Sequence, residues 1–214
     1  VTLDLFGTEE PWSEQLAEGV WLLHRRALVQ EQALLDALVA VAERAPFRHM
    51  VTPGGHSMSA AMTNCGLLGW VTDRRGYRYS PQDPESGRAW PSLPGSFLQL
   101  AQEAAQEAGF AGFTPDACLI NRYQVGAKMG LHQDKDEADL DHPIVSVSLG
   151  LPAVFQLGGW ERSDKLQRVP LQHGDVLVWG GPARLRYHGV LTIKAGTHEK
   201  LGPYRYNLTL RKAG

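Results

Sequence analysis

The second half of the chain reads as a succession of short strands, and that pattern restricts the fold more than any other feature. After Pro115, the segments Ala117–Tyr123, Ile144–Leu149, Ala153–Leu157, Val176–Trp179, Arg184–Tyr187 and Tyr204–Leu210 are rich in β-branched, leucine and aromatic residues. Gly, Pro or Asp turns separate them. Many short strands at close spacing stack or close on themselves, so the choice narrows to a sandwich, jelly roll or barrel. Two helices come first. Leu34, Leu38, Val41 and Ala45 recur at helical spacing up to Pro46. A second helix is expected from Ser96, capped by its hydroxyl with Gln99 reaching back, carrying Phe97, Ala101, Ala104 and Ala108, and ending at Gly109. The predicted class is α+β.

Between the helices, residues 46–95 show no sustained period and are rich in Gly, Pro, Ser and Arg, with Trp70, Tyr77, Tyr79 and Trp90 interleaved. A stretch this long without periodicity is usually functional or mobile, and short strands inside it are hard to see. The 214 residues suit one catalytic-size domain with an appended flap. Its expected divisions are an N-terminal segment and helix (1–45), a lid (46–95) and a strand-rich core with its supporting helix (96–214).

Charge is distributed unevenly. The net charge of −2 argues against a protein coated in basic residues, as obligate nucleic-acid binders tend to be. By segment, however, it runs −6 over 1–43, +3 over 44–90, −5 over 91–144 and +6 over 145–214. Local binding of an anionic strand is therefore compatible with the composition. No apolar run is long enough to cross a bilayer, so no membrane association is expected. Val1–Val20 hold five acids and no basic residue, unlike a signal or transit peptide. Two cysteines, Cys65 and Cys118, supply neither a disulfide framework nor a four-thiolate zinc site, and a reducing cytoplasm is expected.

Phosphate-binding loops, dinucleotide fingerprints, His-Glu-x-x-His and nucleophile elbows are all missing. Asn207-Leu-Thr209 matches a glycosylation sequon, which inside a predicted strand reads as chance. Two His-x-Asp triplets remain, His132-Gln-Asp134 and His173-Gly-Asp175. In extended backbone, residues i and i+2 share a side, so such a triplet can present imidazole and carboxylate to one point. A distant second histidine would complete a two-His-one-carboxylate face that leaves open positions on Fe(II). Taken alone, a His-x-Asp triplet is more often a turn or a solvated pair. His173-Gly-Asp175 fits that reading, because it leads into Val176–Trp179 and is expected to share a hairpin with His188. His132 and Asp134 are the better partners for His188.

Iron of this kind needs an electron donor, ordinarily a 2-oxo acid, and a dicarboxylate is best gripped by arginine. The last strand places Arg205, Asn207, Thr209 and Arg211 on one face, alternating with Tyr206, Leu208 and Leu210. In isolation that face could be simply solvent-exposed.

With these features together, the chain resembles the AlkB family of Fe(II)/2-oxoglutarate nucleic-acid dealkylases, its bacterial repair branch in particular. The resemblance rests on Asn121-Arg-Tyr123, Leu131-His-Gln-Asp-Lys-Asp-Glu137, Ser146-Val-Ser-Leu-Gly150, Tyr187-His-Gly189 and Arg205-Tyr-Asn-Leu-Thr-Leu-Arg211. It extends to Leu3-Asp-Leu-Phe6, Met50-Val-Thr-Pro-Gly-Gly55 and Met62-Thr-Asn-Cys65, nearly the whole chain. It implies a double-stranded β-helix, a jelly-roll form, with covering helices and a nucleotide-recognition lid at 46–95. It implies iron on His132, Asp134 and His188, and 2-oxoglutarate against Asn121, Tyr123, Arg205, Asn207 and Arg211, one arginine on each carboxylate. Substrate contacts are implied for Trp70, Tyr77, Arg78, Tyr79, Asp136 and Arg162. Gly130 and His56 depart from the pattern, where a bulkier and an aromatic residue are expected.

The resemblance further implies that O2 and 2-oxoglutarate become CO2 and succinate while an N-methyl group leaves as formaldehyde. The expected substrates are 1-methyladenine and 3-methylcytosine in DNA, single-stranded by preference, or RNA. Trp70 is expected to stack on the flipped base with the His132 ring on its other side. Asp136 is expected to favour the cationic, methylated form, although in a run with Lys135, Glu137 and Asp139 it also reads as solvated surface. No obligate protein partner is expected. Two alternatives stay open: the same iron chemistry on a protein or small molecule, and a jelly-roll binding module with incidental histidines.

Overall fold

The structure, a computed structural model, describes residues 10–214; the Leu3–Phe6 stretch lies outside the described residues. The chain begins with β1 (Trp12–Ala17) and β2 (Val20–His24), a short 3-10 turn, and α1 (Glu31–Arg44). Then come β3 (Ala61–Gly66), β4 (Gly69–Asp73), β5 (Gly76–Ser80) and α2 (Gly95–Glu107). The second half holds β6 (Ala117–Gln124), β7 (Met129–His132), β8 (Ile144–Gly150), β9 (Ala153–Leu157) and β10 (Gln167–Leu171). It ends with β11 (Val176–Trp179), β12 (His188–Val190) and β13 (Tyr204–Arg211).

Seven strands form a large antiparallel sheet in the order β1-β2-β11-β8-β13-β6-β3, and four form a smaller one, β10-β9-β12-β7. Strands β4 and β5 make a separate hairpin. This is the jelly-roll α+β arrangement, with two helices covering one face of the large sheet. Side-chain alternation explains the layering. On β8 and β13, Val145, Val147, Leu149, Leu208 and Leu210 face the helices and pack with Leu34, Leu38, Phe97, Leu100 and Ala104. The opposite face of the same strands carries Ser146, Ser148, Arg205, Asn207, Thr209 and Arg211, all buried. The polar face of the last strand is thus directed into the fold and not toward solvent.

Several local expectations need correction. Ser96 does not cap α2: Pro94 holds the cap position, Ser96 Oγ donates to the Ala33 carbonyl, and Gln99 bonds Glu103. Gly109 does end the helix, with φ +88°, its N–H bonding the Gln106 carbonyl and that of Phe110 bonding Ala105. Arg184–Tyr187 is not a strand. A 3-10 turn at Gly181–Ala183 precedes it, and Arg184 turns its guanidinium onto the His142 and Asp134 carbonyls. That passage carries the chain from the large sheet to the small one, so β11 and β12 are not a hairpin.

The segment 46–95 contains three strands that its sequence hid. One of them, β3, is wholly buried and pairs with β6 in the large sheet, so part of this segment belongs to the core. Among the described residues, no helix is long and apolar enough to cross a membrane.

Candidate active site

His132 ends β7 and His188 begins β12, and antiparallel pairing sets them directly opposite each other. Their ring centroids lie 4.4 Å apart. Each ring is oriented by its own backbone: Nδ1–H of His132 donates to the Gly130 carbonyl at 2.9 Å, and that of His188 to the Arg186 carbonyl at 3.0 Å. A carbonyl only accepts, so Nδ1 carries a proton in each ring and the neutral form leaves its lone pair on Nε2. Both Nε2 atoms face Asp134, at 3.6 Å from Oδ1 and 3.7 Å from Oδ2. The three donor atoms lie within 4.8 Å of one another. Gly189 permits this close pairing, since a Cβ there would stand 2.9 Å from the Met129 carbonyl oxygen.

The electrostatics suit the donors. Burial, reinforced by the neighbouring His132, pushes His188 down to about 4, so its ring is neutral near pH 7. Burial alone would raise Asp134, yet Arg211 and the two histidines hold its carboxyl well below the ordinary range. Arg211 donates from Nη2 to Asp134 Oδ2 at 2.5 Å and sits 3.3 Å from Glu137.

Beside the triad lies a cavity of 580 Å³ whose floor is the polar face of β6, β8 and β13. Asn121 lies opposite Asn207, and Tyr123 opposite Arg205, across the β6–β13 ladder. Arg205 is 1% exposed and makes a single side-chain bond, from Nη2 to Ser148 Oγ at 3.0 Å. Among the described residues, its Nε and Nη1, and the Asn121 Oδ1, have no hydrogen-bond partner. Burial pushes Arg205 down to about 10 and Tyr123 up to about 12. Ser146 and Thr209 fix Asn207 through bonds of 2.8 and 2.9 Å. A buried guanidinium with free donors is costly unless an anion completes it.

Of the six residues read as substrate contacts, Trp70, Tyr77, Asp136 and Arg162 line the cavity. Asn64 clamps the Trp70 backbone through both ends of its amide, at 2.9 and 3.0 Å. The Trp70 ring stacks on Tyr77 at 5.6 Å, and its Nε1 donates to Asp136 Oδ2 at 2.8 Å. Arg78 and Tyr79 do not line the cavity. Arg78 pairs with Asp73 at 2.7 Å, and Tyr79 donates its hydroxyl to Glu137 at 2.7 Å. Glu137 itself is a buried group that the sequence reading left on the surface. It also pairs with Arg184 at 3.0 Å, tying the hairpin, the loop after β7 and the sheet crossover together. Ser146 and Ser148 were legible as polar alternates within a valine-rich strand.

The second triplet is structural. Asp175 accepts from the Arg25 and Gln172 amides, and His173 bonds Glu31 and the Gly150 amide.

Comparison with known proteins places this geometry. The 2OG-Fe(II) oxygenase superfamily matches residues 20–211. The alpha-ketoglutarate-dependent dioxygenase AlkB of Salmonella typhimurium is 60% identical over 99% of this chain and 98% of its own. The chain belongs to the AlkB family of Fe(II)/2-oxoglutarate-dependent dioxygenases. More distantly, the DNA N(6)-methyladenine demethylase ALKBH1C of Arabidopsis thaliana is 33% identical, covering 68% of this chain and 38% of that protein. The solved structure of OsALKBH1 superimposes with a TM-score of 0.80 at 31% identity, covering 94% of this chain and 99% of that one. As a dioxygenase of this family, the protein uses Fe(II), 2-oxoglutarate and O2. The residues present fit those groups: two imidazole lone pairs and one carboxylate converge, and the unpartnered Arg205 donors face the adjoining cavity.

Proposed function

We propose that this dioxygenase oxidatively dealkylates nitrogen-alkylated bases in DNA, 1-methyladenine and 3-methylcytosine foremost, with RNA bearing the same lesions as the alternative nucleic acid. His132, Asp134 and His188 hold the iron. Arg205 binds one carboxylate of 2-oxoglutarate, with Asn121 and Tyr123 beside it. Arg211 reaches the other, with Asn207 fixed between the two arginines. When bound, iron and 2-oxoglutarate supply the oxidising power that turns O2 into a hydroxylating agent, with succinate and CO2 as by-products.

The protein's own contribution is selection and placement of the base. The observation that carries the reading is the wall formed by Trp70, Tyr77 and Asp136 on the cavity that also holds the triad. Trp70 offers a ring held at its backbone and its edge, suited to stack on a base. His132, 39% exposed, supplies a second ring on the same cavity. Asp136 stands where a carboxylate distinguishes lesion from normal base. Methylation at N1 of adenine or N3 of cytosine makes the ring cationic, and the remaining carboxylate oxygen can accept from the exocyclic amine. Hydroxylation of the N-methyl carbon gives a hemiaminal that releases formaldehyde and restores the base.

A base reaches such a cavity only after leaving its stack, which costs a few kcal/mol in a duplex and less in a single strand. Single-stranded substrate is therefore favoured. Arg162 on the cavity wall and the basic final third supply phosphate contacts. Cys65 and Cys118 are both free and buried, in keeping with a reducing cytoplasm. The test is formaldehyde release from a panel of methylated oligonucleotides with Fe(II), 2-oxoglutarate and O2. Turnover on 1-methyladenine and 3-methylcytosine, weakening steeply with salt, is the expected result. Salt-insensitive binding, or no turnover on either lesion, would contradict the reading.

A further inference from the structure

The loop between β9 and β10 carries Trp160, which is 59% exposed and the most exposed tryptophan among the described residues. An indole left in water normally moves freely, but this one is fixed on three sides. Its Nε1 donates to the Pro182 carbonyl at 3.1 Å. The Arg186 guanidinium lies over the ring, 5.7 Å from its centroid, and is itself tied by Nε to the Gly158 carbonyl at 2.6 Å. The loop beneath is closed on itself, with Asp164 Oδ2 accepting from the Glu161 amide at 3.0 Å. At Gly159 a Cβ would stand 2.1 Å from that carboxylate oxygen, so a larger residue there would displace the Asp164 side chain.

The same loop is fastened to the active site. Gly158 N–H bonds the Tyr187 carbonyl at 2.7 Å, and Tyr187 N–H bonds the Gly159 carbonyl at 2.8 Å. Tyr187 precedes His188 and lines the cavity, as does Arg162, two residues past Trp160. A held aromatic ring, more than half exposed, therefore stands on a loop tied to the cavity lining, with Arg186 over it and Arg162 two residues away. That combination is what a base-stacking platform on a single strand requires.

We infer that Trp160 stacks on an unpaired base neighbouring the one inserted in the cavity. This rests on the nucleic-acid reading above and deepens it: the platform serves a flanking nucleotide of any sequence, because every base has a π-face. Arg162 and Arg186 accompany the connecting phosphates. In a duplex the neighbouring base is already stacked and paired, so the platform gives an advantage to single strands.

The experiment uses the full chain with Fe(II), 2-oxoglutarate and a single-stranded pentanucleotide holding a central 1-methyladenine. A second pentanucleotide carries abasic sites on both sides of the lesion, keeping the phosphates and removing the flanking bases. Trp160→Ala is expected to raise KM on the normal pentanucleotide about 5-fold or more, with little change in kcat, and Trp160→Phe to recover most of the loss. On the abasic-flanked substrate, wild type and Trp160→Ala should give the same KM. Equal KM values on the normal pentanucleotide would overturn the inference. So would an equally large loss on the abasic-flanked one, which would mark a phosphate or scaffold effect. Anisotropy with the unmodified pentanucleotide reads the same contact without chemistry: weaker binding by Trp160→Ala supports the platform and unchanged binding overturns it. If wild type binds through Trp160 yet releases no formaldehyde, the dealkylase reading fails and the platform stands.

Discussion

His132 and His188 face each other directly across the β7–β12 pair, their ring centroids 4.4 Å apart, although 56 residues separate them in the chain. Two backbone carbonyls, of Gly130 and Arg186, set which nitrogen of each ring is free. The proposed metal site is thus a property of the strand register as much as of the three side chains themselves.

Asp134 connects that site to Arg211, so its removal should affect metal more than fold. Asp134→Asn keeps the size and one acceptor but lacks the charge that balances Arg211 and the iron. We expect Fe(II) affinity to fall by 10-fold or more, with far-UV circular dichroism unchanged. An anaerobic Fe(II) titration measures it, and wild-type affinity in the variant would contradict the assignment.

Arg205 should show stability and function moving in opposite directions. Its guanidinium is buried, and among the described residues its Nε and Nη1 have no hydrogen-bond partner. Arg205→Met removes that desolvated charge and is expected to stabilise the protein by about 1 kcal/mol or more, while abolishing 2-oxoglutarate binding. Thermal unfolding and cosubstrate titration of the same variant decide it; a large destabilisation would show the arginine to be structurally satisfied.

Two glycines of the active-site strands should differ sharply. Nothing lies within 4 Å of a Cβ built at Gly130, whereas one at Gly189 meets the Met129 carbonyl at 2.9 Å. Gly130→Ala should leave stability unchanged or raise it by about 0.5 kcal/mol through the unfolded state. Gly189→Ala should cost about 1–3 kcal/mol and weaken metal binding, as the β7–β12 pair is forced apart. Equal melting temperatures for the two variants would contradict the close pairing.

The second triplet predicts a pH effect away from the iron. Burial lowers the pKa of His173 below its ordinary 6.5, outweighing its bond to Glu31, with His198 and Lys200 adding repulsion. As pH falls through 6.5, the unfolded chain takes up a proton that the native ring resists. This contribution to stability is therefore complete above about pH 6.5 and lost as pH falls through the lower native value. Melting temperature measured from pH 7 to pH 5 should fall less steeply in His173→Gln than in wild type. Parallel curves would show that His173 is not responsible.

Strand β11 was legible because unbroken apolar composition is a strong signal, and β8 because its β-branched residues alternate with Ser146 and Ser148. The last strand was legible from its alternation, although only the fold shows that the arginine face is the inner one. The strands β1, β4, β5 and β7 carry mixed or exposed residues, and their place is set by pairing, which a single sequence does not display. Arg184–Tyr187 looked like a strand because its residues suit one, but Arg184 is engaged by distant carbonyls. The proposed iron donors were readable as residue types; their convergence depends on the chain crossing from the large sheet to the small one between β11 and β12. Glu137 was missed because nothing local separates a buried acid from the exposed Asp136 beside it.

Oxidative removal of a methyl group from a base is tested most directly by product stoichiometry. With Fe(II), O2 and limiting 2-oxoglutarate, a 1-methyladenine oligonucleotide should yield formaldehyde and succinate in equal amounts, and the unmethylated oligonucleotide no formaldehyde. Succinate formed without lesion-dependent formaldehyde would show that the cavity serves a different substrate.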